Sequence, residues 1–264
     1  MLRNIAVLSI LAASAVVFAC NGGDGGSSPT DTPPPATDSG TPSDGASSTL
    51  PQGNEPFELD PTNFVAEIDN PYWPMKPGNR WTYNETDVDG NLFQVEVVVA
   101  NDKKDILGIS ATVVHDIVSQ DGAVVEDTFD WYAQDVDGNI WYLGEDTKEF
   151  ENGVVVSTEG SWEAGVDGAQ AGVALPGNPE VGMTYRQEYY AGQAEDHGKV
   201  LSLSEHVEVP FGTFDGCLQT ADTTALEPDV LEHKYYCRDV GPAQTLDVAT
   251  GGHEELVTFE ENAQ

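Results

Sequence analysis

Residues 85–96 read Glu-Thr-Asp-Val-Asp-Gly-Asn-Leu-Phe-Gln-Val-Glu, and their oxygen-bearing side chains recur at the spacing of a twelve-residue calcium loop. With Glu85 first, Asp87, Asp89 and Asn91 take the third, fifth and seventh places, Gly90 the turn and Glu96 the last. Only Glu where Asp is usual breaks the pattern. The pentapeptide Asp-Val-Asp-Gly-Asn returns at residues 135–139, but there Ala133 and Gly144 stand at the loop ends and two ligands are missing. Neither copy is flanked by helix-like sequence, and Asp-Gly-Asn between strand-like runs is also good hairpin chemistry. A calcium site at Glu85, Asp87, Asp89, Asn91 and Glu96 therefore competes with a turn used twice.

Cys217 and Cys237 flank the turn signal Leu-Glu-Pro-Asp-Val, each ten residues from Glu227. A regular hairpin centred there sets them face to face at a separation a disulfide tolerates. His233 shares a strand parity with Cys237, but three ligands at these spacings match no specific zinc or copper pattern. For nucleophilic catalysis there is no Gly-x-Ser-x-Gly, no His-Glu-x-x-His and no Gly-rich phosphate loop, so no catalytic residue is assigned. A hydrolase would have to assemble in space, from His115, His206 or His233 with carboxylates. Among the aromatics, Phe129 and Trp131 share one strand face and Tyr132 takes the other, while Trp141 and Tyr142 point oppositely. Core on both faces is the preferred reading, with a concave ligand-binding wall as the rival.

The elements that must position these residues are strands. LFQVEVVVA, ISATVVHDIVS, AVVEDTFDWYAQ, NIWYLG and VLSLSEHVEV are rich in β-branched and aromatic residues, many alternate, and no long helical stripe interrupts them. Asp89-Gly90, Asp121-Gly122, Asp137-Gly138 and Asn152-Gly153 each separate two such runs. The fold class is all-β: an antiparallel meander forming a curved open barrel or a sandwich, with at most one short helix. Residues 162–182 read as a loop joining two groups of strands.

Ahead of this lies a basic start, an apolar run from Ile5 to Ala19, and Cys20. The run is short for a membrane span and suits a secretory signal. Val17-Phe18-Ala19-Cys20 resembles the lipobox of bacterial lipoproteins, which implies cleavage after residue 19 and lipidation of Cys20. Asn21, where inner-membrane retention usually has Asp, directs the expectation to the outer membrane or cell surface. Residues 20–56 are dominated by Gly, Ser, Thr, Pro and Asp and read as a disordered tether, leaving 57–264 as the β-domain. A formal net charge of −36 disfavours nucleic acid as a partner.

The strings DNPYWPMKPGNRWTY (69–83), DWYAQDVDGNIWYLGEDTKEFENG (130–153) and SWEAGVDGA (161–169) resemble a family of uncharacterised bacterial secreted and lipid-anchored proteins. VPFGTFDGCLQT (209–220) with EHKYYCRDVGPAQ (232–244) is similar to that family's closing hairpin, although Cys237-Arg238-Asp239 and Pro242-Ala243 depart from its usual ending. The resemblance implies an envelope location and no particular activity. The expected function is a lipid-anchored envelope β-domain that binds or supports, engaging the membrane through its anchor and an unidentified envelope protein or small ligand. The alternatives are a lipid or small-ligand carrier with a concave sheet, and a spatially assembled hydrolase. Calcium is the one cofactor the residues suggest.

Overall fold

The computed structural model describes residues 50–263; the signal-like segment, Cys20 and most of the expected tether lie outside the described residues. A first meander comprises β1 (Arg80–Thr86), β2 (Leu92–Ile106), β3 (Ile109–Gln120), β4 (Ala123–Gln134) and β5 (Ile140–Glu151). Then come β6 (Val154–Ser157), β7 (Trp162–Glu163) and β8 (Gln170–Leu175), all pairing with β5, and two short pieces, β9 (Thr184–Arg186) and β10 (Glu188–Tyr189). A second meander follows: β11 (Asp196–Val209), β12 (Gly212–Thr224), β13 (Leu231–Cys237), β14 (Gly241–Asp247) and β15 (His253–Glu260). The region expected as a loop, residues 162–182, thus carries β7 and β8. The only helical turn among the described residues is the 3-10 piece Pro61–Asn63, capped by the Asp60 side chain.

The two meanders join where β1 pairs with β15, giving the antiparallel order β10-β8-β5-β4-β3-β2-β1-β15-β14-β13-β12-β11-β9. These 13 strands nearly close into a barrel with one unsealed seam. The seam falls where the chain itself steps from β9 to β10 through Gln187, since β9 pairs with β11 and β10 with β8. Two-residue turns with both φ positive, as hairpin twist demands, connect the long strands at Asp121-Gly122 and Asn152-Gly153. Leu107-Gly108 adopts the same geometry with a leucine in the left-handed position, where the sequence carries no turn signal.

Inside, one end of the barrel is apolar. Trp73, from the segment preceding β1, stands between Tyr132 of β4 and Tyr236 of β13, with ring centroids 5.3 and 5.8 Å away. Those strands are six steps apart in the sheet, so this one side chain spans the interior. The Trp81 indole donates to the Val240 carbonyl (2.7 Å), and the Asp239 N–H to the Pro71 carbonyl (2.7 Å), fixing the segment in place. Cys217 and Cys237 form a buried disulfide between β12 and β13, with Cα atoms 4.4 Å apart. The hairpin is centred on Glu227, as Thr223 opposite Leu231 and Leu218 opposite Tyr236 require.

Across the seam lies a clasp. Arg186 is buried, with its backbone N–H donating to the Pro51 carbonyl (2.7 Å) and Nη1 to the carbonyls of Gly53 (2.5 Å) and Glu55 (2.9 Å). Its Nη2 donates to the Ala171 carbonyl of β8 (2.8 Å), so one guanidinium ties β9, β8 and the incoming chain together. Residues 50–56, grouped with the tether on composition, are therefore docked on the barrel. Gly172 completes the junction: it lies so close to the Arg186 and Gln187 carbonyls that a Cβ would collide with backbone.

Replacing Arg186 by Met strands three carbonyls, and should cost about 2–4 kcal/mol in urea unfolding while speeding amide exchange in β9 and β10. Unchanged stability would show the clasp to be dispensable. Cys217→Ser with Cys237→Ser should cost about 3 kcal/mol for a loop of this length, and neither cysteine should alkylate in unreduced native protein.

Candidate functional site

The other half of the interior is polar, because acids occupy the strand parity that elsewhere carries the core. On β3 and β4, Asp116 alternates with Val114 and Val118, and Asp130 with Thr128 and Glu126. Register carries the pattern around the wall: Asp116 faces Thr128, which faces Thr147, and Asp130 faces Glu145. Beyond β5, the Trp162 indole donates to Glu188 of β10 (2.8 Å). On the opposite wall a row runs Thr220, Lys234, Thr245, Glu254, Glu85 across β12, β13, β14, β15 and β1. Asp222 faces Glu232, with Asp196 near the seam.

Against these buried acids stands, among the described residues, one inward cation. The Lys234 ammonium lies 3.3 Å from Asp222 and 3.4 Å from Glu232, all three nearly inaccessible. Burial opposes its charge, but Asp222, Glu232 and Asp196 outweigh that and hold the lysine above its ordinary range. Neutral donors reach some of the acids as well. The Tyr142 hydroxyl donates to Asp130 (2.7 Å), and Gln187 Nε2 donates to Asp222 (3.0 Å). Both carboxyl oxygens of Asp116 and of Glu254 lack a hydrogen-bond partner in the protein, as do the hydroxyls of Tyr185, Thr220 and Thr245.

Desolvation dominates the electrostatics. Burial, followed by the nearby Asp130, Glu126 and Glu85 carboxyls, pushes Asp116 well up; burial with Glu85 and Asp116 does the same to Glu254. Asp130 is pushed up to about 7, burial outweighing its hydrogen bond from Tyr142, and Asp196 is likewise raised to about 7 by burial. The arrangement gathers carboxyls that hold their protons above the ordinary carboxylate range.

The residues singled out from sequence disperse. Glu85 points into the barrel, whereas Glu96 sits on the outside, 3.8 Å from Arg80. Asp87 spends its carboxylate within the turn, accepting from the backbone N–H groups of Asp89 (2.9 Å) and Asn91 (2.7 Å) and from the Asn91 side chain (2.6 Å). Asp135 repeats that geometry with Asp137 and Asn139, so the recurring pentapeptide is one turn design used twice. Among the described residues no three His, Cys, Asp or Glu side chains are arranged to hold a metal ion. With Cys217 and Cys237 joined, and His233 within 3.1 Å of Gln219 Nε2, the zinc or copper alternative loses its ligands.

The histidines also stay apart. His115 pairs with Asp127 (2.8 Å) and stacks on Phe129, while His206 pairs with Asp215 (2.7 Å) at an exposed site on β11 and β12. Both faces of the aromatic strands are covered: Tyr132 stacks on Tyr142 inside (4.8 Å), and outside Trp141 lies beneath Phe57 (5.0 Å) while Lys104 sits 3.1 Å over Trp131.

The raised carboxyls set a pH dependence. Folded, Asp130 and Asp196 keep protons up to about pH 7, while in the unfolded chain they release them near the ordinary 3.8. The folded state therefore binds more protons across that window, and stability falls as pH rises from about 4 through 7. The melting temperature should increase on going from about pH 8 to about pH 5, and Asp130→Asn with Asp196→Asn should flatten the slope. A slope unchanged in that variant would assign the effect to other groups, the raised Asp116 and Glu254 or the acidic exterior.

Two solved structures are similar to this chain. One is a crystal structure of a candidate exported protein with a YmcC-like fold from Bacteroides fragilis NCTC 9343, at 14% identity and a TM-score of 0.40, covering 72% of this chain and 98% of that one. The other is a candidate lipoprotein from Parabacteroides distasonis ATCC 8503, at 12% identity and a TM-score of 0.39, with the same 72% and 98% coverage. No family model and no curated protein matches the chain, so the string resemblance rests on the quoted residues alone.

Proposed function

We propose that this chain is a lipid-anchored envelope protein, displayed at the outer membrane or cell surface, whose barrel works by binding. The anchor is supported by the Val17–Cys20 string, by Asn21 after it and by the Gly, Ser, Thr and Pro-rich stretch that follows. One observation carries the binding reading: buried carboxyls occupy inward strand positions that elsewhere in the barrel carry the apolar core. Small barrels selected for stability fill such positions with Val, Ile or Leu. Buried charges exchanged for apolar residues commonly leave a protein as stable or more so, so acids kept there at a cost point to a ligand.

The rival readings fare less well on the same geometry. An acyl chain gains nothing from a wall of carboxyls, which disfavours a lipid carrier. A hydrolase needs a base and a nucleophile in one cleft, and His115, His206 and His233 each serve a local structural contact.

In a bacterial host, the full chain should take up labelled palmitate and partition into detergent, and Cys20→Ser should abolish both. A wild-type chain that stays unlabelled and aqueous would overturn the anchor. Native mass spectrometry of the protein from its own envelope should show an added small-molecule mass, and a bare mass from gentle preparations would count against binding.

A further inference from the structure

We propose that the polar half of the barrel receives a small organic cation bearing two or more amines along an alkyl chain. This rests on the reading of the barrel as a binding domain, and names the class of its ligand.

The first support is an internal precedent. Lys234 is itself an alkylammonium laid along the inner wall, and Asp222 and Glu232 grip it from one strand away and from its own strand. Two strands on, β15 supplies Glu254 in the same cross-strand row, and β3 supplies Asp116; the Lys234 charge reaches Glu254 across the row, yet no lysine or arginine hydrogen-bonds either carboxyl. Their four oxygens are buried, with Asp116 2% and Glu254 0% exposed, and find no donor in the protein. A buried ionised carboxylate without donors costs several kcal/mol, so these positions call for a cation or a proton.

The second support does not depend on acids. The hydroxyls of Tyr185 and Thr245 are also without partners although each residue is only 1% exposed. Thr245 stands in register between Lys234 and Glu254. Such hydroxyls accept hydrogen bonds from ammonium groups and donate to none of the groups around them. The stacked Tyr132 and Tyr142 rings, with Trp162 edge-on at 5.3 Å, offer aromatic surface against which methylenes pack and cations are attracted.

Spacing selects the ligand class. A bare divalent ion wants several oxygens converging on one point, and among the described residues no such group of three exists. The acids are instead distributed strand by strand, Glu254 on β15, Asp116 on β3, Asp130 and Glu145 on β4 and β5. One ammonium answers one of these, whereas amines spaced along a flexible chain answer several. Glu188 of β10 and Asp196 of β11 flank the unsealed seam, giving an acidic approach to the interior.

The test is titration of the full chain with spermidine near neutral pH, in about 0.2 M salt to screen the exterior. Calorimetry should give saturable binding of about one per chain, with a higher melting temperature. Glu254→Gln with Asp116→Asn should weaken binding by at least about tenfold, while the exposed pair Glu180→Gln and Glu208→Gln should leave it unchanged. If the double variant does not fold, Glu254→Gln alone should weaken binding in the same direction. Equal weakening by the exposed pair would reduce the effect to surface counterions and overturn the proposal. Calcium stabilising the protein where spermidine does not would overturn it in favour of a metal. No response to spermidine, together with a non-amine mass on the protein from its own envelope, would overturn the ligand class and leave the binding reading standing.

Discussion

The pairing of β1 with β15 is the contact on which the molecule depends. It lies at the middle of the strand order, so it turns two sequential meanders into one wall and places the free edges of both opposite itself. Closure then decides what each side chain does, because in a wall that curls upon itself every second residue of every strand points at a common axis. Long-range pairing of this kind forms late and costs loop-closure entropy. The two meanders fold locally; the barrel exists only once the first and last long strands meet.

What that closure gathers is an interior of two unlike halves. Trp73, Trp81, Tyr132 and Tyr236 fill one end as a conventional core, and their burial drives folding. At the other end the same geometry forces carboxyls together in a medium that solvates charge poorly, and one lysine, whose charge reaches Asp222, Glu232, Asp196, Glu188 and Glu254, offsets only part of theirs. Hydrophobic closure and electrostatic cost are therefore coupled: the apolar half holds the acidic half in a state it would not adopt alone. This division gives the barrel both its stability and its appetite for positive charge.

Much of the architecture was legible. The alternating runs, the Asp-Gly and Asn-Gly turns and the symmetry of Cys217 and Cys237 about Glu227 are local signals, and the hairpins follow from them. Leu107-Gly108 escaped because leucine carries no preference for positive φ, and the cross-strand neighbours set that turn instead. β7 and β8 escaped because short strands docked on an existing edge need little alternation of their own. Barrel against sandwich could not be read, since it is decided by one pairing between residues near opposite ends of the domain. The interior acids were hidden by a reasonable habit of reading. In Glu126-x-Thr128-x-Asp130, Thr220-x-Asp222-x-Thr224 and Glu232-x-Lys234-x-Tyr236 the polar residues share a parity, which ordinarily marks the solvent face. Only the continuation of that parity into Tyr132, Leu218 and Tyr236 reveals that it points inward.

The clasp at the seam also fixes where mechanical load enters the barrel. Chain arriving at Leu50 runs directly into Pro51, Gly53 and Glu55, whose carbonyls Arg186 holds. Any pull from the N-terminal side is thus delivered to the one line along the wall that has no continuous ladder of hydrogen bonds. The bonds that resist it first are those of the Arg186 backbone N–H with Pro51 and of Gln52 with Thr184 and His197, with the Arg186 guanidinium behind them, and the strands that carry them belong to the seam. Were the chain held from its N-terminal side, as proposed, tension and the opening of the barrel would share one coordinate.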